Sequence, residues 1–230
     1  MGFVEAEGGW GFQIGELPYL PDHEATHYKH PLVTGWSAGI TAGYFVGSDL
    51  AVTASWEYRE ASTRKGSIDG VIDRVQGNIH YHTFSIGARI YRPTGPGWLR
   101  AEFAAGLALP FRTEEEFDYD PALARLGVAG SGSRTIHYNL GYGAQAQFGY
   151  ELPVYDLPFG HLYAALSLEM RAFQSNNRGR ETELDNFITD LAAVPPAATT
   201  TTFETQNGGA QPEQYAVSDI TWRLAVGMRF

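Results

Sequence analysis

The sequence predicts an all-β protein, a closed antiparallel transmembrane β-barrel of about eight strands. Three observations predict it. Eight segments alternate strictly between apolar residues and small or polar ones. Each is long enough to cross a bilayer on a tilt, and the connections between them alternate long and short. A transmembrane strand needs about 9–11 residues, whereas strands of soluble proteins average about 5–6.

In the first segment Val4, Ala6, Gly8, Trp10, Phe12 and Ile14 share one parity, and Glu5, Glu7, Gly9, Gly11 and Gln13 share the other. The second sets Trp36, Ala38, Ile40, Ala42 and Tyr44 against Ser37, Gly39, Thr41 and Gly43. The third sets Leu50, Val52, Ala54, Trp56 and Tyr58 against Thr53, Ser55, Glu57 and Arg59. The fourth opposes Phe84, Ile86, Ala88 and Ile90 to Thr83, Ser85, Gly87 and Arg89. The fifth opposes Leu99, Ala101, Phe103, Ala105, Leu107 and Leu109 to Arg100, Glu102, Ala104 and Gly106. The sixth places Ile136, Tyr138, Leu140, Tyr142, Ala144, Ala146 and Phe148 on one side, and His137, Asn139, Gly141, Gly143, Gln145 and Gln147 on the other. The seventh sets Leu162, Ala164, Leu166, Leu168 and Met170 against Tyr163, Ser167, Glu169 and Arg171. The eighth sets Ile220, Trp222, Leu224, Val226, Met228 and Phe230 against Asp219, Thr221, Arg223, Gly227 and Arg229.

Short turns are expected at 47–49, 93–97 and 153–160, and long polar connections at 16–32, 60–78, 111–133 and 174–214. That rhythm suits periplasmic termini, short periplasmic turns and four long extracellular loops. Within the last loop a short helix is expected near 181–193, followed by a mobile Ala-Thr-rich stretch at 195–202. No domain boundary interrupts residues 1–230, and the chain reads as a mature form whose Met1 is an added or renumbered start.

Bulk composition is compatible with this reading. The chain is 43% hydrophobic and has no run of eighteen apolar residues, which excludes a transmembrane helix but not alternating strands. A soluble lipocalin-like barrel or a sandwich would show a solvated face of Lys and Glu. Here the polar parity is instead rich in Gly, Ala, Ser and Thr, and aromatics gather near segment ends. With no cysteine there is no disulfide, thiolate metal site or cysteine nucleophile, and a net charge of −10 opposes a nucleic-acid partner.

The last nine residues carry a resemblance. Leu224, Val226, Met228 and Phe230 alternate up to a terminal aromatic, which resembles the C-terminal assembly signal of bacterial outer-membrane barrels. The whole chain resembles the small eight-stranded OmpA/OmpX-type superfamily. The resemblance implies insertion by the barrel-assembly machinery. It transfers no activity, since one fold hosts many functions.

The charges assigned to the lumen are six acids (Glu5, Glu7, Glu57, Glu102, Glu169 and Asp219) and six arginines (Arg59, Arg89, Arg100, Arg171, Arg223 and Arg229). An eight-stranded bore is just wide enough to be filled by side chains, and arginine forks match carboxylates bidentately. A salt-bridged polar plug is therefore expected, with Arg59, Arg100, Arg171 and Arg223 pairing with Glu57, Glu102, Glu169 and Asp219. A narrow polar pathway is the alternative.

Two motifs suggest chemistry. His23-Glu-Ala-Thr-His27 matches H-E-x-x-H, with His30 nearby, but lies between Pro21 and Pro31 without the long helix that a zinc protease needs. It reads as solvated loop, and no metal or other cofactor is expected. His80 and His82 share the lipid-facing parity near a membrane edge, as a lipid-modifying enzyme would require. Ser85 lies on the opposite parity, so base and nucleophile are not brought together. These histidines read as interfacial rim.

The long connections carry most of the negative charge, dominated by Glu114, Glu115, Glu116, Asp118 and Asp120. The expected role is a non-enzymatic outer-membrane structural or surface-interaction protein whose barrel anchors an acidic loop surface. Outer-membrane lipids, lipopolysaccharide and an extracellular or envelope protein are the expected partners. Narrow passive transport of small solutes is the alternative, and lipid modification the third reading.

Overall fold

A computed structural model describes residues 1–13, 33–63, 66–68, 72–122, 128–190, 197–205 and 214–230. The strands are β1 (Gly2–Gln13), β2 (Val33–Phe45), β3 (Leu50–Thr63), β4 (Gly66–Ile68), β5 (Ile72–Thr94), β6 (Gly97–Ala108), β7 (Phe111–Tyr119), β8 (Val128–Tyr138), β9 (Gly141–Leu157), β10 (Gly160–Asp190), β11 (Ala197–Thr205) and β12 (Gln214–Arg229). Eight of them, in the order β1-β2-β3-β5-β6-β9-β10-β12, pair antiparallel and close on themselves through β12 and β1. Closure removes the unpaired edges that hydrocarbon would not tolerate.

The stagger follows from the register. A row of paired residues leaves β2 at Trp36 and passes Trp10, Trp222, Leu168, Phe148, Ala101, Ile90 and Leu50. It meets β2 again at Val46, ten residues further along. Eight strands with that stagger tilt by about 40° from the barrel axis.

Both termini and the turns 46–49, 95–96 and 158–159 gather at one end. Gly95 takes φ 60° ahead of Pro96, the positive-then-fixed pair of a two-residue II′ hairpin. The third turn is tighter than its sequence suggests. β9 runs on past Pro153 to Leu157, and a register shift at Leu162/Tyr163 accommodates the proline.

At the other end the expected loops are corrected. The stretch 111–133 is largely the β7–β8 hairpin, and 174–190 continues β10. Thr182 to Asp190 pairs with β8 on one side and β11 on the other, so this part of the expected helix is strand. The Ala-Thr-rich stretch from Ala197 is β11 rather than a mobile coil. Connection 16–32 and residues 191–196 lie outside the described residues.

β7 and β8 continue β6 and β9 past two breaks, Leu109-Pro110 and Asn139-Leu140. One residue is inserted against the neighbouring strand: Thr83 faces Ala108, but His80 faces Arg112. An inserted residue reverses parity. Tyr138, expected on the outer face, is accordingly fully buried inside.

Candidate functional site

The candidate site is the lumen, which side chains fill in three levels. The level nearest the turns holds Phe3, Ala51, Tyr91 and Tyr163, with Phe45 and Trp98 against them. Arg229 enters this aromatic group, its guanidinium 4.5 Å from the Tyr91 ring centre and 4.9 Å from that of Trp98. Its Nη2 lies 2.6 Å from Glu151 Oε1. Gly43 and Gly227 make room: a Cβ on the first would collide with the Phe3 ring, and on the second with the Tyr163 ring.

The middle level is ionic and has two parts. In the first, Glu5 accepts Arg89 Nη2 at 2.5 Å, Arg100 Nη1 at 2.8 Å and the Tyr163 hydroxyl at 3.0 Å. Arg89 Nε donates to Glu102 at 2.5 Å, and Thr53 donates to the same carboxylate at 2.9 Å. In the second, Glu57 contacts Arg59, Arg171 and Arg223 together. Glu169 lies 2.7 Å from Arg171 and 3.2 Å from Arg223, Asp219 pairs with Arg59, and Glu7 lies 2.9 Å from Arg223. Gln147 Nε2 joins the parts, donating to Ser167 Oγ at 2.8 Å and to Glu7 at 3.4 Å.

The level nearest the hairpins is aromatic again: Ile79, Tyr81, Ala108, Tyr138 and Phe173, with Phe111 stacked on Tyr138 at 4.8 Å. A void of about 30 Å³ remains beside Arg59, Asp219 and Thr221, room for a water molecule.

Glu57, Arg59, Arg89, Arg100, Glu102, Glu169, Arg171, Asp219 and Arg223 are thus all buried, in two ion-paired groups bridged by Gln147. Arg59, Arg171 and Arg223 pair with Glu57, Glu169 and Asp219, as expected, and the partners differ in one place. Arg100 pairs with Glu5, and Glu102 takes Arg89 instead. Glu151 is a seventh buried acid that segment-by-segment reading left out. It continues the inward parity of Gln145 and Gln147 beyond Phe148, the last residue of the sixth alternating segment.

The outer face is the reverse of the lumen. Trp10, Trp36 and Trp222 are cross-strand neighbours, and all three point outward and are exposed. Trp56, Phe84 and Tyr142 extend the aromatic belt. Trp36 and Tyr44 lie eight residues apart on β2, and Tyr44 belongs to a second belt near the turns. At this tilt they are about 20 Å apart along the axis, close to the roughly 25 Å apolar band of a membrane barrel. Ile40, Val52, Ile86, Phe103, Leu166 and Leu224 fill the space between, all exposed. A closed ring with an apolar outside and an ionic inside matches a bilayer as its solvent. The chain is a transmembrane β-barrel.

No family model matches the barrel, and no curated protein does. Among solved structures it is similar to the outer membrane protein OprG from Pseudomonas aeruginosa, at 10% identity over 99% of this chain and 94% of that one, with TM-score 0.39. A major outer membrane protein from Thermus thermophilus is similar at 13% identity over 99% of each chain, with TM-score 0.45. Ail of Yersinia pestis is similar at 18% identity over 100% of this chain and 99% of that one, with TM-score 0.35. These likenesses are low, and the fold rests on the barrel's own ring of strands.

Among the described residues, no three His, Cys, Asp or Glu side chains stand close enough to hold a metal ion. His23, Glu24, His27 and His30 lie outside those residues. Ser85 faces inward and donates to Gln145 at 3.4 Å, whereas His80 is exposed outside, and the His82 ring stacks on the outward Trp56 at 5.6 Å. Of the terminal motif, Leu224, Val226 and Phe230 are exposed on the outer face and Met228 is half-buried on the same parity.

Proposed function

We propose that the barrel is a sealed anchor in the outer membrane whose long hairpins form an acidic surface for interaction with other envelope or extracellular molecules. The bore carries this reading: aromatic layers at both ends enclose an ionic middle that leaves room for a water molecule rather than a solute path. Buried charges are tolerated only when paired, so each arginine and carboxylate holds its partners in place and the plug resists opening.

In this reading the termini and short turns face the periplasm, and the β4–β5, β7–β8 and β10–β11 hairpins face outward. Leu224, Val226, Met228 and Phe230 present an apolar edge to the barrel-assembly machinery. Lipids and lipopolysaccharide surround the apolar belt, and a protein partner meets the acidic hairpins. No catalytic residue and no cofactor is assigned.

Conductance tests the reading against passive transport. The purified barrel in a planar bilayer is expected to show no stable ohmic steps. A steady open pore would replace the sealed anchor by a narrow channel.

A further inference from the structure

The breaks at Leu109-Pro110 and Asn139-Leu140 open a cavity of about 350 Å³ in the barrel wall, within the usual range for small-ligand sites. His80, His82, Arg112 and His137 line it together with rings that belong to the lumen's upper aromatic level. The register explains why these nitrogens meet. His80 on β5 faces Arg112 on β7, and Arg112 faces His137 on β8, so three strands contribute one row of donors. The inserted residues at the breaks turn Arg112 and His137 outward, beside His80, which the unbroken β5 already presents on that face. His82 Nδ1 is enclosed and makes no hydrogen bond to the described residues.

The height of the row is equally specific. It continues from Trp36 through Glu60, and each step climbs about 3 Å in a ring tilted by about 40°. His80, Arg112 and His137 therefore stand about 6–12 Å above the Trp36 belt, at the depth of lipid headgroups rather than acyl chains. Glu60 and Glu114 flank the row, Glu114 holding Arg112 Nε at 2.7 Å, so its donors sit among acids.

From this juxtaposition we infer that the cavity holds an anionic, phosphate-bearing lipid headgroup of the leaflet at the hairpin end. The guanidinium and imidazole N–H groups supply charge-assisted and neutral donors to the phosphate oxygens. The rings behind them accept the less polar part of the headgroup. The inference deepens the lipid contacts of the sealed-anchor reading, and it stands on the membrane fold rather than on which end faces outward.

The test places the full chain in phosphatidylcholine nanodiscs containing phosphorylated lipid A or the same lipid stripped of its phosphates. Side-chain nitrogen NMR signals of Arg112, His80, His82 and His137 are followed. Phosphorylated lipid A should shift these signals, and Arg112→Gln combined with His137→Gln should weaken the response about tenfold or more, as expected for loss of charge-assisted bonds. Arg92→Gln, an exposed arginine at the turn end, should leave it unchanged. Unmoved signals, or equal shifts with dephosphorylated lipid, would overturn the inference. Equal shifts with inorganic phosphate alone would mark a free-anion site and overturn the lipid assignment. Nanodiscs expose both leaflets, so an inverted orientation in cells would leave these outcomes intact.

Discussion

Arg89 on β5 reaches across the bore to Glu5 on β1, its Nη2 2.5 Å from Oε1, although the two residues are 84 apart in sequence. Two strands, β2 and β3, separate them around the ring. The contact therefore fixes the bore's width as well as two charges.

Removing one partner of such a buried set leaves the other charge without its match, at a typical cost of about 3–5 kcal/mol, whereas an exposed charge contributes about 0–1. Arg89→Ala should lower the urea unfolding midpoint in detergent far more than Arg92→Ala, whose side chain is exposed. Equal, small shifts would mean that the lumen charges are solvated.

Arg229 and Glu151 give a sharper version of the same argument. Arg229→Met keeps an apolar body among Tyr91, Trp98, Phe45 and Tyr163 but leaves the Glu151 carboxylate without its ion pair. Adding Glu151→Gln removes the stranded charge. The double variant should therefore unfold at a higher urea concentration than Arg229→Met alone, as a double-mutant cycle would show. Additive losses would mean the two groups are not coupled.

The inward parity was legible because a period of two assigns faces without knowledge of neighbours. Glu57, Arg59, Glu169 and Arg171 are readable in this way. Which arginine meets which carboxylate was not legible, because that depends on the stagger of the ring. Arg100 and Glu102 share one strand and one face, yet Glu5 comes nearer to Arg100 once β1 is set in place. Tyr138 was misassigned because a single inserted residue reverses parity and leaves no sign in composition. The hairpins beyond the belt were missed for a related reason. Outside the membrane neither face must be apolar, so Thr199 to Thr202 pair with β10 without any alternation to announce a strand. Leu184, Phe187 and Ile188 have helical spacing, but ladders on both sides hold them extended.

Orientation can be read from intact cells. External protease should cut within 111–133 or 174–214, where the hairpins leave the barrel, and should spare the turns at Ser48 and Thr94. Cleavage at either turn from outside would invert the proposed topology, leaving the fold itself untouched.

The most direct test is of which face meets lipid, and the absence of cysteine makes it clean. Single cysteines at 222, 224 and 226 lie on the outer face of β12, and those at 223 and 225 on the inner face. Spin labels at these five positions in reconstituted bilayers should alternate. Those at 222, 224 and 226 should collide with oxygen and be shielded from a water-soluble nickel chelate, while those at 223 and 225 should be shielded from oxygen. Free access of the chelate to 224 and 226 would mean that the apolar face is solvated, and would contradict the membrane barrel.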